Sequence, residues 1–464
     1  MTGSCPLVLT SSGSSPRKRE IYSPGFGPIV SVGHSPSVDS TVEIRALLER
    51  TRDATHALLE PVSDDELLTQ VSPGRSPLVW DYARVARFEE LWLLRNLNGS
   101  SLLGDLHDEV YDAFRHERSE VSGLPRLRPE ATRAYADDVR ERAFELLEHI
   151  DLDAPNPLLR NGFVFGLVAQ HELQHQETML ETLQLRTGVG YPLPSASSPD
   201  RAPAGPAEIR IKGGSFILGA TDEPWAYDNE LVPHEVDLKP FFIDRTPVTN
   251  GAFADFVGRK GYRSAKHWSP EGWAWRERND VVAPLYWELG KDGWERVRFG
   301  RREPVPLDEP VQHVSWHEAD AFARWAGKRL PTEAEWERAA GWDERRGKSR
   351  YPWGREWTGF EANLGHHRFS PAPAGSYAAG VSPSGVVQLI GDVWEWTSSY
   401  FLPYPGFLSF PNPEHSEVFF GEEYRVLRGG SWATGGLTAR TSFRNWDLPT
   451  QRDLFAGFRC ARDG

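Results

Sequence analysis

Phe163-Val164-Phe165-Gly166-Leu167-Val168-Ala169-Gln170-His171-Glu172-Leu173-Gln174-His175-Gln176-Glu177-Thr178-Met179-Leu180-Glu181-Thr182-Leu183 is the stretch around which the chain is organised. It lacks proline and is rich in helix formers, so it reads as one helix. Residues four apart share a helix face. His171 and His175 can therefore point two imidazoles at one spot, as a helix does when it supplies two ligands to a first-row transition metal. Gln174 lies between them in projection and faces the same space. A third ligand has to come from another element.

The literal string His171-Glu172-x-x-His175 also matches the zincin pattern, in which the Glu is a general base. That pattern is short and arises by chance. No His-x-x-Gly-x-x-His continuation follows, and the stretch downstream is a Pro/Ser-rich linker with no helix to carry a further carboxylate ligand. The bland reading is two histidines packed into a helix face with polar partners. The i,i+4 pair beside Gln and Glu favours a metal over that reading.

Three further helical stretches precede this one. Thr41-Val42-Glu43-Ile44-Arg45-Ala46-Leu47-Leu48 opens an amphipathic helix running toward Leu59. Pro77 to Leu94 is a second, with Ser76 as N-cap and Pro77 in the first turn. Pro129 to about Ile150 is a third. Four helices suggest a bundle over residues 41–190, with the metal on inward-facing side chains. Residues 1–40, rich in Ser, Gly and Pro, are expected to be a disordered tail, and residues 191–206 a linker. From 207 to 464 the style changes to short strands, turns and large aromatics: Ile209 to Gly219 reads as strand, turn, strand, with short helices at Asn250 to Gly261 and Trp316 to Gly327.

Composition narrows the function. The chain has 464 residues, and its 66 acidic residues against 52 Lys and Arg give a formal charge of −14, which argues against nucleic acid as the main partner. Cys5 and Cys460 are the only cysteines, so there is neither a disulfide framework nor a thiolate cluster, as suits a reducing cytoplasm. No apolar run is long enough to span a bilayer, and the N-terminus lacks a signal-peptide pattern. Eighteen Trp, gathered with Gly and Pro in the second half, suit a loop-rich fold held by aromatic anchors.

The second half carries a series of phrases in fixed order. They are Gly213-Gly214-Ser215-Phe216, Pro247-Val248-Thr249-Asn250, Pro310 to Trp316, Lys328 to Glu337, Gly391-Asp392-Val393-Trp394-Glu395-Trp396-Thr397, Leu427 to Trp432 and Gly457-Phe458-Arg459-Cys460. Together they resemble the formylglycine-generating-enzyme (sulfatase-modifying factor) fold, similar to a C-type-lectin-like domain. The oxidases of that superfamily carry a cysteine pair after Gly-Gly-Ser-Trp. Ala433 to Arg444 contains no Cys, so thiol-dependent copper chemistry is closed to this domain.

A DinB-like four-helix bundle bearing His-x-x-x-His-x-Glu, followed by such a domain, is an α+β chain that resembles the hercynine oxygenases. These are the non-haem iron sulfoxide synthases of ergothioneine biosynthesis. Ser76-Pro77-Leu78-Val79-Trp80-Asp81, Glu89-Glu90-Leu91-Trp92, Tyr111-Asp112-Ala113-Phe114 and Ser442-Phe443-Arg444-Asn445-Trp446-Asp447 extend the resemblance over about 42–464. It implies Fe(II) held by His171 and His175, and Gln174 on the hercynine imidazole. It also implies Asn445, Trp446 and Asp447 lining the substrate pocket, where amide and indole suit a trimethylammonium betaine and the carboxylate suits the ammonium of a cysteine-type thiol. O2 is the further substrate.

The chain departs from the family at three places. Arg84 stands in Trp80-Asp81-Tyr82-Ala83-Arg84, where the third histidine is expected. A guanidinium has no free lone pair and repels a dication. Asp81, or a histidine such as His56 or His116, could supply the ligand instead, or Arg84 could face an anion with no iron present. Of the two arginines that meet the thiol substrate's carboxylate, Arg118 fits the first, and Val121 takes the second place. The active-site tyrosine is missing between Pro405 and Gly421, where Asn412 or His415 stands, with Tyr400 and Tyr404 earlier. Two functions follow as expectations. One is an oxygenase joining a sulfur or selenium donor to imidazole C2 of hercynine. The other is a divergent paralogue that binds a betaine or anion without oxygenating it.

Overall fold

The computed structural model describes residues 41–464 apart from 113, 114, 117, 118, 187–189, 196 and 198, and the chain divides into two compact units that meet between Pro192 and Leu193. The expected tail therefore lies outside the described residues. The first unit is helical and the second mixes short helices and sheets, which is the α+β organisation expected.

The bundle helices are α1 (Thr41–Leu59), α2 (Leu78–Glu89), α3 (Pro129–His149) and α4 (Phe163–Gln184). A π-helical turn, Glu90–Arg95, continues α2. The start of α2 is one residue later than expected: Pro77 is the N-cap, its carbonyl accepts from the amides of Trp80 and Asp81, and Ser76 makes no cap. α4 is buried on nearly every side, so apolar and polar side chains alike must find partners inside the bundle.

Those partners form a closed ion network. Arg52 on α1 donates to Glu172 at 2.7 Å and to Glu89 at 2.9 Å, and Arg140 on α3 donates to Glu89 at 2.6 Å and to Glu172 at 3.1 Å. Thr55 adds a hydroxyl to Glu172 at 2.8 Å. Two guanidinium groups and two carboxylates cancel, which is what allows four charges to sit in a helical core. Burial pushes the Glu172 carboxyl up, but Arg52 and Arg140 outweigh it and hold the group below the usual glutamate range. Gln176, one turn on, donates to the Thr51 carbonyl at 2.9 Å and ties the same face of α4 to α1.

The stretch expected to be a linker is fastened at both ends. The Tyr191 hydroxyl donates to the Leu58 carbonyl in the first unit, and Ala202 donates to Gly375 in the second.

In the second unit, β1 (Glu208–Ile211) and β2 (Gly214–Leu218) are both strands, as expected, but they do not pair with each other. β2 pairs with β3 (His234–Leu238), and β1 pairs with β4 (Phe241–Asp244). Helices α5 (Asn250–Gly258), α6 (Trp316–Trp325) and α7 (Glu333–Gly341) follow, each opened by a Thr or Ser N-cap that accepts an amide. A four-stranded sheet comes next, from β5 (Trp394–Phe401), β6 (Gly421–Arg428), β7 (Asn445–Asp447) and β8 (Ala456–Gly457), in the order β7-β6-β5-β8. β9 (Ala461–Asp463) returns to pair with β4, so the two ends of the unit share one sheet.

Tryptophan anchors fill its core, and three of them have satisfied N–H groups. Trp336 donates to Glu395 at 2.8 Å, Trp396 to the Val314 carbonyl at 2.9 Å and Trp432 to Gln312 at 3.3 Å. Glu395 also receives Arg459 at 2.7 Å, a buried pair that binds the Trp-Glu-Trp and Phe-Arg-Cys phrases together. Gly429 has φ of +94°, and a Cβ there would sit 2.5 Å from the Leu389 carbonyl, so the Gly-Gly turn admits no larger residue.

His313 sits in the same core, at φ of +63°, edge-on to Tyr286 at 4.8 Å. Burial pushes its imidazole down to about 3 from an ordinary 6.5. A depressed folded value means that the unfolded chain takes up the proton first, so this group withdraws stability as pH falls from 6.5 toward 3, by about 1.4 kcal/mol per pH unit. His313→Asn tolerates the same left-handed backbone and does not titrate. Urea unfolding at pH 7 and pH 5 is expected to show a smaller acid loss in that variant. Equal losses in both proteins would remove His313 from the acid response.

Candidate functional site

Helix α4 brings His171 and His175 together as expected: both are buried, and their ring centroids lie 4.6 Å apart. Gln174, half-buried, precedes His175 on the same helix. Glu172 faces elsewhere. Its carboxylate is consumed by Arg52, Arg140 and Thr55, so it has no role as the general base of a zincin.

Helix α2 lies antiparallel to α4, and two contacts fix the register. Arg75, just before α2, pairs with Glu181 near the end of α4, and Phe88 near the end of α2 stacks on His171. The Phe88 ring lies 3.6 Å from the imidazole and 6° from parallel. Counting back four residues on α2 and forward four on α4 puts Arg84 level with His175, on the face Phe88 uses. Arg84 is buried there, with 6% of its surface exposed.

The same count puts Asp81 level with Thr178, a turn beyond His175. Asp81 is buried, yet among the described residues no three His, Cys, Asp or Glu side chains gather as a metal-holding group. The expectation that Asp81 completes the ligand set therefore finds no such group. His56 does not complete it either: it is an exposed residue of α1 whose ring is hydrogen-bonded to the Tyr82 hydroxyl. The family's three-histidine set does not fit this chain. Two imidazoles lie together, and Arg84 stands where the family resemblance expects the third.

The bundle's other buried acids are already engaged. Glu89 shares Arg52 and Arg140 with Glu172. Glu90 accepts from Arg95 at 2.8 Å and from Tyr135. Arg118 lies outside the described residues.

In the second unit, β7 displays the Asn445-Trp446-Asp447 phrase. It runs antiparallel to β6, with Asn445 opposite Leu427, Trp446 opposite Val426 and Asp447 opposite Arg425. Side chains alternate along a strand, so Asn445 and Asp447 share one face and Trp446 takes the other. Trp446 stacks on Phe401 at 4.0 Å and 9°, with Phe419 at 5.6 Å. It belongs to the apolar cluster of Phe401, Tyr424 and Val426. That packing covers an indole face that sequence reasoning had offered to a trimethylammonium group. The Asn445 side-chain oxygen accepts from the Trp446 amide and that of Asp447 from the Leu448 amide, which holds both polar residues against the strand.

The four candidates for the missing tyrosine take different places. Tyr404 is buried, donates to Glu333 at 3.4 Å and lies under Arg444 at 4.1 Å; burial first, then Glu333, pushes its phenol far up, despite Arg444. Tyr400 lies on β5 under Arg425 at 3.7 Å. Asn412 donates to Glu414, and His415 packs on Tyr227 at 4.2 Å. Sequence reasoning missed Phe88, whose signal was its position four residues beyond Arg84 on one helix face.

Comparison with known proteins follows this division. Residues 47–179 match the DinB superfamily, and residues 194–464 match the sulfatase-modifying factor enzyme 1-like domain. The chain is 46% identical to the hercynine oxygenase of Mycobacterium tuberculosis over 433 residues, covering 91% of this chain and 99% of that protein. It is 44% identical to the hercynine oxygenase of Mycolicibacterium thermoresistibile, covering 92% of this chain and 96% of that protein. A formylglycine-generating enzyme of Streptomyces coelicolor is 34% identical and covers 59% of this chain and 96% of that protein. Among the described residues no helix is long and apolar enough to cross a membrane. Bundle, aromatic-rich domain and end-to-end identity agree: the chain belongs to the hercynine oxygenase family.

Proposed function

We propose that this protein is a cytoplasmic hercynine oxygenase that joins the sulfur of a cysteine-type thiol to imidazole C2 of hercynine, or of a related histidine betaine, and leaves the product as a sulfoxide. The balance is closed by O2. The C2–H and S–H bonds break, a C–S bond forms, one oxygen atom goes to sulfur and the other leaves with both hydrogens as water. The carrying observation is the buried pair His171 and His175 with Gln174 beside it, in a chain that matches hercynine oxygenases over almost their whole length. The family implies Fe(II) as the group that would bring thiolate and O2 together. Of the protein's own groups, the Gln174 amide is the one to hydrogen-bond and orient the imidazole. Asp447 is the one to meet the thiol substrate's ammonium, and Arg118 its carboxylate.

Arg84 at the third ligand position favours a second reading, a divergent relative that binds a betaine or an anion without oxygenating it. A selenium donor in place of sulfur would use the same geometry. Iron analysis of protein purified anaerobically in chloride buffer, followed by turnover with hercynine and cysteine under O2, separates the readings. Near-stoichiometric iron that is lost in His171→Ala, together with sulfoxide product, is the expected result. A folded protein without iron or product establishes the second reading.

A further inference from the structure

Buried arginines around the four-stranded sheet hold glutamates: Arg428 pairs with Glu337, Arg440 with Glu230, Arg444 with Glu333, Arg452 with Glu318 and Arg459 with Glu395. Arg425, half-buried on β6, makes no ion pair among the described residues. Its guanidinium carbon lies instead over two rings, 4.1 Å from the centroid of Trp316 on α6 and 3.7 Å from that of Tyr400 on β5. Rings pack on the face of a guanidinium, whereas its N–H groups lie along the edge. The Ser398 carbonyl, at 2.7 Å, and the Tyr400 oxygen take part of that edge. Burial, the largest influence, lowers the guanidinium from its ordinary value, against Tyr400, Asp320 and Glu271. Of those acids, Asp320 is tied to Arg324 at 2.8 Å and Glu271 is exposed. His317 on α6 is held down to about 4 by burial and then by Arg425, so it is neutral at pH 7.

The sheet register sets Arg425 opposite Asp447 of β7 on one side and opposite Tyr400 of β5 on the other. Directly opposed residues of antiparallel strands project from the same face, with Cβ atoms about 4.5–5.5 Å apart. Arg425 and Asp447 are therefore neighbours of opposite charge, yet the guanidinium is drawn toward β5 and the two do not pair. An α-amino acid carries an ammonium and a carboxylate on one carbon. A carboxylate and a guanidinium set side by side but held apart are the complement of that arrangement. Given the reading of Asp447 as the partner of the thiol's ammonium, we infer that Arg425 is a specificity-determining residue of the same site, which receives the α-carboxylate of the thiol donor and so selects an amino-acid thiol over a simple aminothiol. Asp447 stands in contacts of its own, among them the Leu448 amide, so this selection falls to Arg425. A carboxylate has two oxygens, and Arg425 adds to Arg118 rather than replacing it.

The test is anaerobic calorimetry of the whole protein with L-cysteine and with cysteamine, which keeps the thiol and the ammonium and lacks the carboxylate. Turnover of each thiol with hercynine under O2 follows. The natural chain is expected to bind cysteine about tenfold or more tightly than cysteamine. Arg425→Met is expected to weaken cysteine by about tenfold or more and to leave cysteamine unmoved. The ratio of the two thiols then reports the carboxylate contact within one protein, whatever the substitution does to packing around Trp316 and Tyr400. Arg425→Gln, which can still donate to the Ser398 carbonyl, is expected to act alike and serves if Met disturbs the fold, which circular dichroism checks. Arg425→Lys keeps the charge and is expected to restore part of the preference. Equal weakening of both thiols in a folded variant, an unchanged preference, or no preference in the natural chain overturns the inference, and sulfoxide formed by the natural chain then leaves the oxygenase reading standing. The expected preference in a natural chain that forms no sulfoxide sinks the oxygenase reading and keeps Arg425 as the carboxylate partner of an amino-acid site. Binding of neither thiol overturns the inference.

Discussion

Glu172→Ala is expected to lower the stability of the bundle by about 3–5 kcal/mol, because it leaves two buried guanidinium groups facing one carboxylate. The size follows from asymmetry. A closed set of two Arg and two Glu offsets its own desolvation, whereas three of the four leave a net buried charge with nowhere to relax. Thr55 and Gln176 hang on the same node, so their hydrogen bonds loosen with it. Thermal unfolding read at the helical signal measures the effect. The gap between the two proteins is expected to narrow in acid. The folded value of Glu172 is held below the usual range, so its contribution is present above that range and is lost as pH falls through the folded value. Glu172→Gln, which keeps shape but not charge, should fall between them. A Glu172→Ala protein that melts like the natural one would show the network to contribute nothing, and would reopen a functional role for Glu172.

That network marks where sequence reading reaches and where it stops. The four bundle helices were legible, three as long amphipathic runs and α4 as a proline-free run of helix formers, although α2 passes into a π-helical turn at Glu90, before its expected end at Leu94. Arg52 sits among Leu48, Thr51 and Thr55 on the inward stripe of α1, and Arg140 among Ala136, Val139 and Ala143 on that of α3. Arginines on buried stripes signal a core ion network. Their partners, 120 and 32 residues away, were not legible, because helix periodicity says which face is buried but not which helix covers it. Arg84 was legible as a departure from a motif. Phe88 on His171 was not, because it depends on the antiparallel register that the Arg75–Glu181 pair reveals.

In the second unit the phrases fixed the fold better than any pattern of alternation. β1 and β2 are separated by two residues yet belong to different sheets, because Gly213 packs against the backbone of Leu238 to Pro240, where a Cβ would lie 2.4 Å from a carbonyl oxygen. Such close approaches are long-range facts. Local propensity does not contain them.

The phrase Asn445-Trp446-Asp447 read as three pocket residues, and the strand divides it. Trp446→Ala is expected to cost about 3–5 kcal/mol, the range for emptying a large aromatic site in a core, because the indole stacks on Phe401 and fills the cluster with Tyr424 and Val426. Trp446→Phe keeps an aromatic ring against Phe401 and should recover much of that loss. Asp447→Asn is nearly isosteric, and its side-chain oxygen can still accept from the Leu448 amide. If the carboxylate receives the ammonium of the thiol substrate, removing its charge should weaken that substrate by about 1.5–3 kcal/mol, roughly 10- to 150-fold in KM for the thiol, with the KM for hercynine unmoved. The two variants therefore separate in kind. Trp446→Ala lowers the melting temperature and, in whatever remains folded, leaves the thiol KM alone. Asp447→Asn acts on the thiol KM in a protein whose fold is checked by circular dichroism. An unchanged thiol KM in folded Asp447→Asn would leave β7 with packing and hydrogen-bonding duties only, and the thiol's ammonium would have to be met by another acid.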